Sequence, residues 1–173
     1  MLTAALLVLR IGALRPRESI IVTEAPSTLF PLRDHLPIDR PDGYFTGASG
    51  GLGYGLPAAV GVAMARPQEH VVAILGDGSA MYGIQGLWSA AQSQIPLTFI
   101  IVRNGRYAAL VDIAHRFGIQ QTVGTTIGGL DFVALATGHG LAASRVERLD
   151  ELDDRLRAAF SSGEPHLVEV IVD

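Results

Sequence analysis

Val71-Val72-Ala73-Ile74-Leu75-Gly76-Asp77-Gly78-Ser79 is the stretch on which the fold turns. Both parities of its first five residues are apolar, so a strand here has no polar face and must be covered on two sides. Leu97 to Val102 repeats the pattern and likewise runs into polar chemistry, Asn104-Gly105. A helix-patterned segment at about 82 to 93 lies between them. That separation suits a strand, crossover helix and return strand, which sets two strand ends side by side. Asp77 and Asn104 then stand together at the carboxyl edge of a parallel sheet, where open α/β sheets bind their ligands.

Working outward, the pattern predicts helices at about 2 to 14, 56 to 65, 131 to 138 and 150 to 161. Further strands are expected at Ser19 to Thr23, near 141 to 144 and at 167 to 172, with a loop-rich stretch after Asn104. The expected fold is a doubly wound, mostly parallel α/β sheet with helices on both faces. At 173 residues the chain has length for one domain and one core.

It is 49% hydrophobic with a mean hydropathy of +0.34, yet has no continuous apolar stretch of membrane-spanning length. Some apolar surface is therefore expected to face a partner. The net charge of −4, the pI of about 5.7 and the lack of a basic stripe exclude the footprint of a nucleic-acid binder. Without cysteine there is no disulfide, thiolate metal site or Cys nucleophile. Leu2 to Leu9 is apolar, but it lacks a basic start and a small-residue cleavage pattern, and Arg10 interrupts it. It reads as a buried first helix, and a cytoplasmic chain without membrane attachment is expected.

Chemistry is expected after Thr23, Leu75 and Val102, in Glu24 to Ser27, Gly76 to Ser79 and Arg103 to Tyr107. Asp77 sits between two glycines, which lets Gly78 and Ser79 aim their N–H groups outward at the start of a helix, a setting that favours anions. A diphosphate there, with the Asp77 carboxylate, the Asn104 amide oxygen and the main-chain carbonyl of Arg106, makes a hard-oxygen site for magnesium or calcium. Taken singly, Asp-Gly and Asn-Gly are ordinary turn dipeptides. As a pair at two strand ends they point to a metal beside a phosphate.

Gly50-Gly51-Leu52-Gly53-Tyr54-Gly55 allows either close backbone approach to a cofactor or tight helix packing. Gly53 to Ala58 also fits the G-x-G-x-x-A dinucleotide fingerprint, although Tyr44 to Gly50 is a poor strand to lead into it. The five histidines are scattered without ligand spacing, and Ser79 has no His and acid partners of a triad. Glu147 to Arg157 reads as a solvated helix face.

Together these residues resemble the diphosphate-binding domain of thiamine-diphosphate-dependent enzymes, whose signature is a Gly-Asp-Gly followed at a roughly fixed interval by an Asn. Gly50-Gly51-Leu52-Gly53, Gly76-Asp77-Gly78-Ser79-Ala80 with Tyr82, Leu87-Trp88-Ser89-Ala90-Ala91-Gln92, Ile95-Pro96 and Asn104-Gly105-Arg106-Tyr107 look closest to the benzoylformate decarboxylase branch. The resemblance runs over nearly the whole chain.

It implies that Asp77, Asn104 and the carbonyl of Arg106 bind Mg2+, while Ser27, Gly76, Gly78 and Ser79 meet the diphosphate with Tyr82 nearby. It further implies that the Gly50 carbonyl receives the aminopyrimidine, that Leu52 wedges beneath the bent cofactor, and that Tyr107 and Leu110 wall the pocket. The implied reaction is decarboxylation of a 2-oxo acid, in which the thiazolium carbon attacks the keto carbon and the ring takes up the electrons as carbon dioxide leaves.

No catalytic residue is assigned to this chain. In the family a glutamate on a separate pyrimidine-binding domain activates the cofactor, and Glu24, at the diphosphate end, is not that glutamate. The implied protein is the C-terminal third of a longer enzyme or a separate subunit, in a homo- or hetero-oligomer. Two-chain sulfopyruvate decarboxylases, acetolactate synthases, a non-catalytic cofactor-binding module and an NAD-binding domain are the alternative readings. Arg103, where many relatives carry Asn, and Ala108, where benzoylformate decarboxylases tend to carry Gly, depart from the pattern.

Overall fold

A computed structural model describes residues 2–173. The chain runs α1 (Ala4–Leu14), β1 (Ile20–Glu24), a 3-10 turn (Pro26–Thr28), α2 (Leu29–His35), β2 (Tyr44–Thr46), α3 (Gly55–Ala65) and β3 (Val71–Gly76). It continues with α4 (Asp77–Met81), α5 (Gly86–Ser93), β4 (Leu97–Arg103), α6 (Ala108–Arg116), α7 (Phe132–Gly138), β5 (Ala142–Val146), α8 (Leu149–Ser161) and β6 (His166–Ile171). The six strands form one sheet in the order β2-β1-β3-β4-β6-β5, parallel throughout.

The doubly apolar strands do what their pattern requires. Val71, Ala73 and Leu75 enter a core with Leu56, Ala59, Leu87 and Phe132 of α3, α5 and α7. Val72 and Ile74 point the other way, into a core with Leu7, Ile11, Leu32, Leu152 and Leu156 of α1, α2 and α8. The apolar N-terminal segment is indeed a helix that buries Leu7, Val8 and Ile11, with the Thr3 hydroxyl accepting from Leu6 N at 3.3 Å.

Four details differ from expectation. The helix expected at 82 to 93 begins only at Gly86 and is preceded by the short α4, because Tyr82 N and Gly83 N bond back only three residues, to Ser79 O and Ala80 O, and the tightened turn ends α4. The loop-rich stretch after Asn104 contains α6, and α2 is a further helix beyond those the pattern predicts. The poor strand is real but only three residues long, on the sheet edge, and it does not pair with β3.

That last point disposes of the dinucleotide reading. The fingerprint needs a strand running directly into its first glycine and pairing with the strand that follows the helix. Here residues 47–54 intervene, and β1 lies between β2 and β3. The chain leaves β1 toward β2 on one side and returns to β3 on the other, so the topological switch point falls between β1 and β3. The register aligns Glu24 with Leu75 and Gly76 with Val102, bringing three carboxyl ends level around that point.

Candidate functional site

A cleft of about 280 Å³ opens at this switch point. Pro26 and Ser27 line it after β1, Gly76 to Ser79 after β3, and Arg106 to Leu110 after β4, with Gly50 and Leu52 supplied by the loop before α3 and Ile113 by α6. The structure thus brings together Ser27, Gly50, Leu52, Gly76, Asp77, Gly78, Ser79, Arg106, Tyr107 and Leu110. Asn104 adjoins the cleft through contacts with Ser27 and Arg106. Tyr82 stands apart from the lining, 60% exposed, with its Cβ against Gly53 and its hydroxyl toward Tyr107.

Asp77 is the centre of the polar part. It is 4% exposed, and its carboxylate accepts from Gly78 N at 2.8 Å and Gly105 N at 2.7 Å. Burial pushes its carboxyl above the ordinary carboxylate value, against the opposing pull of the Gly105, Gly78 and Asn104 amides and of Arg103. Arg103 does not neutralise it by contact, because that guanidinium is spent on Glu169 at 2.7 Å. Among the described residues no ion pair reaches Asp77.

A buried carboxylate in that position is suited to a cation. Asn104 Oδ1 accepts from Arg106 N at 3.2 Å, and Arg106 O accepts from Ala108 N at 2.9 Å, so both oxygens lie on the tight turn that follows β4. Among the described residues no group of three or more His, Cys, Asp or Glu is placed to hold a metal ion. The oxygens on this turn, with Asp77, provide a single negative charge. A hard cation here would draw the rest of its shell from phosphate and water, which is the habit of Mg2+. The residues fit that ion.

The apolar part of the cleft comes from Leu52, Tyr107, Ala108, Ala109, Leu110 and Ile113. The turn carrying Tyr107 is pinned by Tyr107 N to Thr125 O and Ile127 N to Gly105 O, both 2.7 Å. Burial, with the Tyr82 hydroxyl and the Asp77 charge beside it, raises the Tyr107 phenol above its ordinary value. Sequence reasoning did not assign Ala109 or Ile113 to the site. Ile113 follows Leu110 by one helical turn, a spacing that identifies it once α6 is known to be a helix.

Against known proteins, the family described as Thiamine pyrophosphate enzyme, C-terminal TPP binding domain, matches residues 29–170. Benzoylformate decarboxylase of Pseudomonas aeruginosa is 44% identical over 160 residues, which is 92% of this chain and 30% of that protein. The acetolactate synthase isozyme 2 large subunit of Escherichia coli is 30% identical over 172 residues, covering 98% of this chain and 31% of its own length. Among solved structures, the thiamine diphosphate-dependent 4-hydroxybenzoylformate decarboxylase of Rhodococcus jostii RHA1 superposes with a TM-score of 0.96 at 38% identity. The match covers 99% of this chain and 33% of that one. The chain spans about a third of the length of the relatives it matches.

Proposed function

Because this chain belongs to the thiamine pyrophosphate enzymes, matching their C-terminal cofactor-binding domain, we propose that its cleft holds thiamine diphosphate and Mg2+ for the non-oxidative decarboxylation of a 2-oxo acid. The observation that carries the reading is Asp77, a buried carboxylate without an ion-pair partner among the described residues, set between the ends of β1 and β4 and adjoining Asn104. Asp77, Asn104 and the Arg106 carbonyl hold the metal in this reading. Ser27, Gly76, Gly78 and Ser79 face the diphosphate, with Tyr82 at the outer edge.

Gly50 offers its carbonyl to the aminopyrimidine, Leu52 supports the cofactor from below, and Tyr107 and Leu110 wall the pocket. When bound, the cofactor supplies a nucleophilic carbon and an electron sink, so the residues of this chain bind, orient and exclude water. The apolar wall of Tyr107, Leu110 and Ile113 suits an aromatic 2-oxo acid of the benzoylformate class. The greater identity to a benzoylformate decarboxylase than to an acetolactate synthase favours the same branch.

In this proposal residues 1–173 are the diphosphate-binding domain of a longer enzyme, or a subunit of a two-chain one. The pyrimidine-binding domain with its glutamate is supplied from outside this sequence, in a homo- or hetero-oligomer. The assembly is cytoplasmic in this proposal; among the described residues no helix is long and apolar enough to cross a membrane.

Calorimetric titration tests the reading. Thiamine diphosphate is expected to bind with Mg2+ and not without it, and Asp77→Ala is expected to abolish that binding. Tight NADH binding with no response to thiamine diphosphate sinks it. The 173-residue chain is expected to turn over no 2-oxo acid until a pyrimidine-domain partner is added, and turnover by the pure chain refutes the half-site.

A further inference from the structure

Glu24 closes β1, and its side chain is nearly buried at 9% residue exposure. It does not pair with a cationic side chain in its hydrogen bonds but spends both oxygens on main-chain amides far along the chain. Oε1 accepts from Gly53 N at 2.6 Å, and Oε2 accepts from Gly55 N. The N-cap residue of α3, Tyr54, contributes no capping side chain of its own. Glu24 therefore caps α3 from a neighbouring strand, placing a negative charge where the helix end favours one. The approach is close enough that a β-carbon on Gly55 would fall 2.6 Å from Glu24 Cβ and 2.7 Å from Leu75 Cδ2.

The loop ahead of this cap carries Gly50 and Leu52 into the cleft. It has little support of its own. Gly50, Gly51 and Tyr54 are exposed, and a β-carbon at Gly50 would meet nothing within 4 Å. Among the described residues, the one side-chain bond to the loop short of Gly53 is Gly51 N to Ser49 Oγ at 3.4 Å. On its outer side lies a second cleft of about 310 Å³, lined by Glu24, Ala25, Ser49 and Tyr54, so the loop is a thin wall between two openings.

We propose that Glu24 is a positioning residue: by holding Gly53 N and Gly55 N it sets where Gly50 and Leu52 meet the ring end of the bound cofactor, independently of the diphosphate end. The proposal rests on the cofactor assignment above. It separates two parts of one site. Asp77, Gly78 and Ser79 anchor phosphate without help from Glu24, and the loop receives the aromatic end only when Glu24 holds it.

Glu24→Gln isolates the tether, because the amide keeps the shape but turns one acceptor into a donor that faces an N–H. Affinities for thiamine diphosphate and for inorganic pyrophosphate, each with Mg2+, are measured on the native assembly with its partner chains. The variant is expected to bind thiamine diphosphate about tenfold more weakly, the worth of one charge-assisted hydrogen bond. Pyrophosphate affinity is expected to stay within about twofold.

Equal losses for both ligands, or none for thiamine diphosphate, overturn the positioning role, since general damage to the fold would not spare pyrophosphate. If Glu24→Gln does not fold, Glu24→Asp carries the test. It keeps the charge at the helix start but draws it back by one methylene, so the same split is expected, and wild-type affinity for both ligands overturns the proposal. A wild-type assembly that binds no thiamine diphosphate overturns the cofactor assignment itself, a failure seen before any variant is compared.

Discussion

The Tyr107 ring lies against Gly78 so closely that a β-carbon at position 78 would fall 2.4 Å from Tyr107 Cε1 and 2.9 Å from Ile127 Cδ1. The turn after β4 is thereby seated directly on the start of α4, and the two walls of the polar cleft share one contact. Gly78→Ala is expected to cost about 1–3 kcal/mol, the usual penalty of overpacking. Combining it with Tyr107→Ala should return much of that loss, because the nearer of the two clash partners is gone and only Ile127 Cδ1 remains. Denaturant midpoints for the two single variants and the double variant read the coupling directly. Simple additivity of the two single effects would show that the ring moves aside freely.

Behind this turn, Glu169 on β6 is fully buried between two arginines, Arg103 Nη1 and Arg145 Nε, each at 2.7 Å, and Arg145 continues to Asp131 at 2.7 Å. Removing the central carboxylate leaves the Arg103 guanidinium without its anion and Arg145 with Asp131 alone. Glu169→Ala is expected to destabilise the chain by about 1.5–3 kcal/mol, the worth of hydrogen bonds to a charged group, because both arginines left behind still reach water. Because Arg103 directly precedes Asn104, the same variant should also weaken Mg2+-dependent cofactor binding. Urea unfolding, followed by titration at a urea-free temperature where the variant is folded, checks both outcomes.

Helix α6 gives a contrasting expectation. Leu110, Ile113 and Phe117 are 55%, 51% and 80% exposed, so they do not support the core of this chain. Phe117→Ser is expected to leave folding stability unchanged within about 0.5 kcal/mol. A larger loss in thermal unfolding would mean that Phe117 packs within the chain.

The sheet and the polar half of the site were legible because their signals are local. Val71 to Leu75 and Phe99 to Val102 are apolar on both parities, which only a doubly covered strand tolerates, and Asp77 and Asn104 follow those runs at once. Helix α6 was hidden because its nine residues lie in a stretch punctuated by Gly105, Gly118, Gly124, Gly128 and Gly129, which reads as loop. The break at Tyr82 to Gln85 was hidden because hydrogen bonds back to Ser79 and Ala80, not a proline, end α4. The Glu24 tether had no local signal at all. Its partners, Gly53 and Gly55, are brought to it by the crossover that places β1 beside β3, so only the assembled sheet reveals it.

At the opposite end of the sheet, His70 reports on acid stability. Burial lowers its pKa from 6.5 to about 4. Its Nε2 lies 2.9 Å from Thr98 Oγ1, whose own hydroxyl donates to Ala159 O at 3.3 Å, so the neutral ring donates from Nε2. Phe160 meets the imidazole edge-on with centroids 5.9 Å apart, and no carboxylate accompanies the ring in these contacts. A histidine held below its ordinary value binds fewer protons folded than unfolded between pH 4 and 6.5, so stability is complete above that window and falls as the pH drops through it. The largest contribution is about 3 kcal/mol. His166, also lowered by burial and by Arg155, works in the same direction. His70→Phe keeps an aromatic ring against Phe160 and removes the titration, so the slope of unfolding free energy against pH across this window should decrease by close to one proton. An unchanged slope would place the acid sensitivity in His166 and the carboxylates instead.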